Sequence, residues 1–355
     1  MDNGALKNLW LARHDLVGAA LYWSGIGWVF ERVRRPSGAI VLMYHSVAPK
    51  DDASYIDPPN HMTPELFERQ MVYLKRNRNV VSYSSLVESI LAGKDPPAGT
   101  VCISFDDGYR DNLTVAAPIL QRLGLPATLF IATGYVEREQ MQWADVLHCH
   151  FRYRTAHSLA LPELGGGAAD LSDARARRTA RAELHGRLLT ATIAQREDLL
   201  AHVQRQLQPD GGRPPRISLN WDDVRDLCRR FPAFELGGHT RDHIDLSIHA
   251  GDLASAEISG CTQDLARETG ITPRDFAFPY ERWCAATRDL IRDAGWRSAA
   301  GAGKGVRVDS DSDVFVIPRI NAPSSMTALR FKTSGAYPGA LNAFGINRRL
   351  GRGAA

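Results

Sequence analysis

Short apolar runs and amphipathic helical patterns alternate along most of this 355-residue chain. The apolar runs are rich in Val, Ile and Phe, and their length of about four to eight residues is typical of buried strands. They predict seven strands, at 39–45, 100–106, 127–133, 233–239, 275–280, 296–301 and 313–320. Because strands that alternate with helices form parallel sheets with both faces covered, the pattern predicts an α/β protein.

The helical patterns between these runs carry their own start and stop signals. Thr63 followed by a proline, and Asn220 before an amphipathic run, are typical N-terminal caps, whereas Gly270 is typical of a helix end. Four helices are predicted most clearly, at 63–76, 220–230, 250–270 and 284–296.

Residues 136–216 interrupt the alternation, because they contain no run that predicts a strand. Residues 163–170 have the composition of a flexible joint, and 171–207 are charged with leucines at helical spacing. This region predicts an inserted helical subdomain, which either caps a site or packs as a separate addition. The predicted organisation is an N-terminal segment at 1–37, a barrel at 38–135 and 217–325, the insertion at 136–216, and a C-terminal tail at 326–355.

The composition indicates a globular protein with a real core, since 44% of its residues are hydrophobic and 23% are charged. A net charge of +3 without a basic, aromatic-rich cluster argues against nucleic acid as a partner. The five cysteines are scattered and form no CxxC pair, which argues against a disulfide framework and against a cysteine zinc site.

The N-terminal segment contains an uncharged run at 16–30, shorter than the roughly 20 residues that span a bilayer. No small-residue cleavage site follows it, as a secretory signal would require. Tryptophans and flanking arginines leave two interpretations of residues 10–35: a helix lying on a membrane surface, or a helix packed on the domain. We expect a cytoplasmic protein, peripheral on the inner face of the membrane if this segment binds lipid.

Polar side chains occupy the ends of several predicted strands. His45 ends the first run, Asp106 and Asp107 end the second, and His239 ends the fourth. Because the carboxyl ends of parallel strands meet at one edge, where sites form, this combination predicts a functional site. Alone, an Asp-Asp-Gly sequence is usually a turn, and a lone pair of histidines is usually surface or core.

His239 and His243 are four residues apart, which places their imidazoles on the same side of a helix or tight turn. Two histidines and one carboxylate form a common ligand set for a catalytic divalent metal. If Asp107 is the carboxylate ligand, its charge is compensated, and Asp106 can act as a base toward water.

Three sequences carry a resemblance to a known family: "SFDDGYRDN" (104–112), "HTRDHIDLS" (239–247) and "FAFPYER" (276–282). They resemble the motifs of the polysaccharide deacetylases, the NodB-homology group of metal-dependent carbohydrate N-deacetylases. "MYHSVAP" (43–49) and "VIPRINAP" (316–323) resemble the branch that acts on exopolysaccharides such as poly-N-acetylglucosamine.

The resemblance implies a distorted (β/α) barrel of about seven parallel strands. It implies that Asp106 is the general base, that His45 is the general acid, and that the backbone N–H of Tyr280 stabilises the oxyanion. It implies a divalent metal, with zinc as first choice, on three ligands: Asp107, His239 and His243.

Two departures from the family pattern carry predictions. The third motif often has an arginine that holds the base, but this chain has Ala277 there, so we expect Arg319 to pair with Asp106 instead. The late motif that supplies a histidine acid is absent, which favours His45 for that role. The alternative for His45 is a strand-end histidine bonded to the backbone.

The predicted function is metal-dependent hydrolysis of an N-acyl group, with acetyl as first choice, from an amino sugar in a polysaccharide or lipid-linked glycan. A deformylase or cyclic-amide hydrolase of the same mechanism remains open, as do a non-catalytic glycan- or membrane-binding protein and a structural protein. A wide groove beside His45 would favour a glycan, and a closed pocket under the insertion would favour a smaller substrate. Trp143 and Asp145, at the start of the insertion, are assigned to local packing rather than to substrate.

Overall fold

The computed structural model describes residues 38–160, 167–212, 214–303 and 305–334. The predicted segment at 1–37, with its expected membrane contact, lies outside the described residues. Among the described helices, none combines the length and apolar character needed to cross a bilayer.

A parallel sheet forms the centre of the molecule. The ten described strands are β1 (Ala39–Tyr44), β2 (Asn79–Val80), β3 (Thr100–Asp107), β4 (Ala127–Ile131), β5 (Ser158–Ala160), β6 (Ala168–Asp170), β7 (Phe234–Gly238), β8 (Asp275–Ala277), β9 (Ser298–Ala300) and β10 (Arg319–Asn321). Seven strands of the parallel sheet follow the order β10-β1-β3-β4-β7-β8-β9, and the short β2 pairs with β3 beside this path.

The sheet closes almost completely into a barrel. β10 pairs in parallel with β1, and Ile317, just before β10, forms a parallel bridge with Ala300 of β9. The expected distorted (β/α) barrel of about seven parallel strands is therefore confirmed. Every residue of β1 and β3 is buried, as expected for strands that are covered on both faces.

Helices surround the barrel, and the predicted caps lie at their ends. The Thr63 side chain accepts a hydrogen bond from Leu66 N, Asn220 forms a capping box with Asp223, and Gly270 has a φ of 71°. The described α-helices are α1 (Lys50–Ala53), α2 (Pro64–Asn77), α3 (Tyr83–Leu91), α4 (Ala117–Leu123), α5 (Thr133–Arg138), α6 (Trp143–Arg152), α7 (Ala174–Thr190), α8 (Ile193–Leu207), α9 (Trp221–Arg230), α10 (Asp252–Thr269), α11 (Ala285–Asp293) and α12 (Met326–Lys332).

The region between β4 and β7 has its own hydrophobic core, in which Leu147 of α6 packs with Leu184 of α7 and Val203 of α8. The expectation that this region contains no strand was wrong, because β5 and β6 form an antiparallel pair. Each of these strands has three residues and most of those are alanine or serine, so the pair leaves no apolar run in the sequence.

The strand predicted at 313–320 is also shorter than expected. Only Arg319–Asn321 forms β10, and Pro318 before it has no N–H to donate to a sheet. Beyond it, α12 buries Leu329 and Phe331 against the fold, so residues predicted to begin a tail instead contribute to the core.

Candidate active site

The edge of the barrel at the carboxyl ends of its strands holds a partly enclosed cavity of about 400 Å³. Six of the seven site residues predicted from the sequence line it: His45, Asp106, Asp107, His239, His243 and Tyr280. The seventh, Arg319, lies at the start of β10 and not near the end of the strand predicted at 313–320, and its fully buried side chain reaches Asp106 beneath the cavity.

Asp107, His239 and His243 form a compact group. One ligand atom from each lies within 4.8 Å of the others, which makes this a group that could hold a metal ion. His243 Nε2 lies 3.1 Å from Asp107 Oδ1, and His239 Nε2 lies 3.6 Å from the same oxygen. His239 Nδ1 donates to the carbonyl of Ala277 at 2.7 Å, which turns Nε2 toward the aspartates.

The chemistry of this group fits a divalent cation. Asp107 Oδ1 is buried and has no hydrogen-bond partner among the described residues, although two imidazole nitrogens lie close to it. A buried carboxylate oxygen without a partner is costly, and a cation at the convergence of the three side chains would compensate it. Two imidazoles and one carboxylate are a donor set that zinc commonly takes.

The charge states of the group are also suitable. Burial alone would raise the pKa of the Asp107 carboxyl, but the neighbouring histidines, led by His243, hold it below its usual range. Burial lowers the pKa of His239 to about 4, so its imidazole is neutral at pH 7, the form that ligates metals.

Asp106 is held by a bidentate pair with Arg319. Nη1 and Nη2 of Arg319 donate to Oδ1 and Oδ2 of Asp106 at 2.7 and 2.8 Å. Burial would raise the pKa of Asp106, but Arg319 and, less strongly, His239 lower it, so the carboxylate is ionised. Arg319 Nε also donates to Glu281 Oε1 at 3.3 Å, which fixes the guanidinium plane.

Tyr280 supports one of the histidines through its side chain. Its hydroxyl donates to the carbonyl of His243 at 3.0 Å and accepts a hydrogen bond from Trp143 Nε1 at 2.8 Å. The rings of Tyr280 and His243 contact edge to face, with their centroids 4.4 Å apart. Outside its own turn, the backbone N–H of Tyr280 has no backbone hydrogen bond among the described residues, and Tyr280 lines the cavity.

The loops that carry these side chains have unusual backbone conformations. Asp107, Thr240, His243, Tyr280 and Glu281 all have φ between 50° and 76°, in the left-handed region. Residues other than glycine enter this region at a cost, and they do so most often at functional sites. Here the left-handed turns bring side chains that follow three different strands to one point.

His45 lies at the end of β1 and is partly exposed to the cavity. The backbone carbonyl of His45 accepts a hydrogen bond from Asn112 Nδ2 at 2.8 Å. Its ring makes no hydrogen bond within the described part of the chain, so the alternative of a ring bonded to the backbone has no support. His45 therefore lines the same cavity as Asp106 and Asp107.

Several other residues of the cavity were not predicted. The insertion contributes Gln142, Trp143 and Ala144 from the start of α6, and His185 from α7. Trp143, assigned to packing from the sequence, both packs in the insertion core and lines the cavity. The barrel loops add Met43, Asp57, Pro59, Asn60, Glu281 and Asn321.

Asp145 is fully buried beside the cavity rather than in it. Its Oδ1 accepts from the Asp57 backbone N–H at 2.7 Å and its Oδ2 from the Tyr109 hydroxyl at 2.8 Å. The packing role expected from the sequence therefore describes its contacts. None of these insertion residues follows a strand, so the strand-end pattern could not reveal them.

Comparison with known proteins gives consistent results. The family model described as polysaccharide deacetylase matches residues 93–299, more than half of the chain. YxkH of Bacillus subtilis (strain 168), whose name refers to the same family, is 30% identical over 105 residues, covering 28% of this chain. The chain matches about one third (34%) of the length of that relative.

Solved structures share the fold. The deacetylase PplD of Streptococcus pyogenes superposes with a TM-score of 0.55 at 15% identity, over 84% of this chain and 98% of PplD. IcaB from Ammonifex degensii gives 0.53 at 15% identity, over 85% and 97% of the two chains. At these identities the similarity establishes the architecture.

Proposed function

The chain belongs to the polysaccharide deacetylase family, and on that premise we propose that it removes an N-acyl group, with acetyl as first choice, from an amino sugar of a polysaccharide or lipid-linked glycan. Enzymes of this family are hydrolases that act on carbon–nitrogen bonds other than peptide bonds. The observation that carries the proposal is the bidentate Arg319–Asp106 pair beside the Asp107, His239 and His243 group.

We propose that Asp107, His239 and His243 hold a divalent metal, zinc in the first instance. Three protein ligands of nitrogen and oxygen are a set that catalytic zinc sites commonly use. When bound, the ion would polarise the acyl carbonyl and lower the pKa of water. Cobalt, nickel and iron also accept such ligands, so the native metal is decided by measurement.

Asp106 is the proposed general base. Its carboxylate lies within 3.8 Å of His239 Nε2, beside the ligand group, and Arg319 occupies both of its oxygens from below. The pair keeps the carboxylate ionised and fixes its orientation. As the water oxygen forms a bond to the acyl carbon, Asp106 accepts the water proton.

The remaining steps use Tyr280 and His45. The backbone N–H of Tyr280, which lines the cavity, donates to the carbonyl oxygen as that oxygen gains negative charge. The carbon–nitrogen bond then breaks, and His45 donates a proton to the departing amine. The products are a free carboxylic acid and an amino sugar.

A second candidate, removal of a formyl group or hydrolysis of another small amide, uses the same residues. The size of the cavity, about 400 Å³, favours this candidate more than an open groove would. The acyl group is therefore the variable that an assay should change first.

The test is acid release from glycan by the purified, zinc-loaded protein. The substrates are the glycan and lipid-linked glycan fractions of its own source cells, assayed for acetate and formate, with Asp106→Asn as the control. Acetate from the wild type, with at least about 100-fold less from the variant at equal zinc content, supports the proposal. Release of formate alone would favour the second candidate, the removal of a formyl group. If the metal-bound protein released no acid from any fraction, both candidate functions would be contradicted.

A further inference from the structure

The insertion is joined to the barrel on both sides of the ligand group. On one side, Asp145 of α6 accepts the backbone N–H of Asp57, and Tyr153 donates to Ser54 Oγ at 3.0 Å. Arg181 of α7 also pairs with Asp57, which itself lines the cavity. These contacts anchor α6 and α7 to the loop that follows β1.

On the other side, the insertion contacts the loops that carry the histidines and Tyr280. Trp143 Nε1 donates to the Tyr280 hydroxyl at 2.8 Å, and Arg196 Nη1 of α8 donates to the carbonyl of Asp242 at 3.0 Å. The Arg196 guanidinium also lies over the Trp143 ring, 5.3 Å from its centroid. The insertion therefore spans the site from one rim to the other.

The space left beneath this span is small. The cavity of about 400 Å³ lies near the lower end of the range of about 300–1,000 Å³ that is typical of small-molecule sites. A cavity of this size suits one N-acetylated aminohexose, with about fifteen non-hydrogen atoms, whereas the further sugars of a chain would extend beyond it.

The insertion also presents a polar group without a partner. Gln142 is 5% exposed, and its Nε2 makes no hydrogen bond to the described residues. Gln142 lines the cavity, as does the next residue in the chain, Trp143. A buried amide without a partner is unfavourable, and a sugar hydroxyl entering the cavity would satisfy it.

From these observations we propose that the insertion restricts the substrate to one chain-terminal amino sugar, which enters the cavity while the rest of the glycan stays outside. Gln142 donates a hydrogen bond to a hydroxyl of that sugar, and the packed Trp143 and His185 rings form an aromatic wall beside it. The inference rests on the proposed function for the identity of the reaction, but the binding it describes can be measured without turnover.

The test compares two probes on the zinc-loaded Asp106→Asn protein by titration calorimetry: the methyl glycoside of N-acetylglucosamine and its β-1,6-linked pentamer. A one-sugar pocket binds both with Kd values within about threefold of each other, because added sugars gain no contacts. Gln142→Ala, placed in the same background, should weaken both by about fivefold to tenfold. Gln140→Ala is the matched control, since that exposed side chain accepts from Arg138 Nε outside the cavity.

Wild-type protein is then incubated with the pentamer, and the deacetylated positions are mapped by mass spectrometry. Loss of acetyl from a terminal residue alone is the expected result. Affinity that rises more than tenfold with length, loss of acetyl from interior residues, or no binding of either probe would overturn the inference. One-sugar binding without acetate release would leave the inference standing and contradict the proposed hydrolysis.

Discussion

Arg319 and Asp106, 213 residues apart in the chain, form a bidentate ion pair in the barrel interior. The family motif that usually supplies this arginine has Ala277 in this chain, and the guanidinium comes instead from the strand that closes the barrel. The proposed base, Asp106, and the arginine that holds it are therefore brought together by the closure of the sheet.

Arg319→Ala should lower activity while zinc content stays the same, because the three proposed metal ligands are unchanged. The variant leaves a buried carboxylate without its cation, so we expect kcat to fall by at least about 100-fold and stability to fall by about 3–5 kcal/mol. Steady-state kinetics, zinc content and urea unfolding measure the three quantities. Unchanged kcat would contradict the positioning role.

The matched control for that experiment is Arg297→Ala. Arg297 also pairs with a largely buried aspartate, Asp275, but this pair joins β8 and β9 outside the cavity. Its loss should lower stability while kcat at saturating substrate stays within about twofold. A similar loss of kcat in both variants would mean that destabilisation alone explains the effect of Arg319→Ala.

The zinc content of variants should distinguish the proposed roles of the adjacent Asp106 and Asp107. Asp107→Asn, His239→Ala and His243→Ala should each lose most of the bound zinc after dialysis, because each removes one of three ligands. Asp106→Asn should retain close to one zinc per chain and lose turnover. Zinc per protein is measured by atomic emission, and loss of zinc in Asp106→Asn would contradict the division of roles.

Tyr280→Phe should weaken metal binding without changing a ligand. The hydroxyl holds the backbone of His243, and removing such a support typically costs about 10–100-fold in metal affinity. Competition with a chromogenic chelator measures the zinc Kd. Tyr153→Phe is the control, because its hydroxyl contacts Ser54 and no metal ligand; equal zinc affinity in wild type and Tyr280→Phe would show that the hydrogen bond is dispensable.

Asp145 should make stability depend on pH. Burial raises the pKa of this carboxyl to about 8, well above the value of about 3.9 expected in the unfolded chain. Between these pH values the folded state holds a proton that the unfolded state has released, so stability is highest at low pH and falls as pH rises toward 8. Asp145→Asn should flatten this decline.

Unfolding free energy measured from pH 5 to 8 tests this expectation. Asp226→Asn is the control, because Asp226 pairs with Arg230 on α9 and its pKa is lowered, so it contributes no slope in that window. A slope that is the same in wild type and Asp145→Asn would assign the pH dependence to other groups.

The sequence was sufficient for the parts of the site that follow strand ends. Asp106 and Asp107 end β3 and His239 follows β7, and parallel pairing necessarily brings the carboxyl ends of these strands together. The pairing of Arg319 with Asp106 was predictable because the motif lacked its usual cation. Its position at the start of β10 was not, since Pro318 shortens the strand in a way that apolar periodicity does not indicate.

The insertion shows where sequence patterns were insufficient. Gln142 precedes the first residue of α6 and His185 lies on α7, and the polar positions of these two helices resemble an ordinary solvent-facing surface. They line the cavity because Trp143 and Asp145 fix α6 against two barrel loops, and those contacts depend on tertiary packing. The β5–β6 pair was missed for a related reason, because its three-residue strands carry almost no apolar signal.

The left-handed backbone of the site has a consequence for protein engineering. Five non-glycine residues there, among them Thr240 and Glu281, hold conformations that cost on the order of 1 kcal/mol or more each. Glycine or asparagine at such positions relieves that cost, so selection for heat resistance alone would enrich substitutions in these loops. The gain in melting temperature would come with less accurately placed histidines, and libraries meant to preserve turnover should leave these positions fixed.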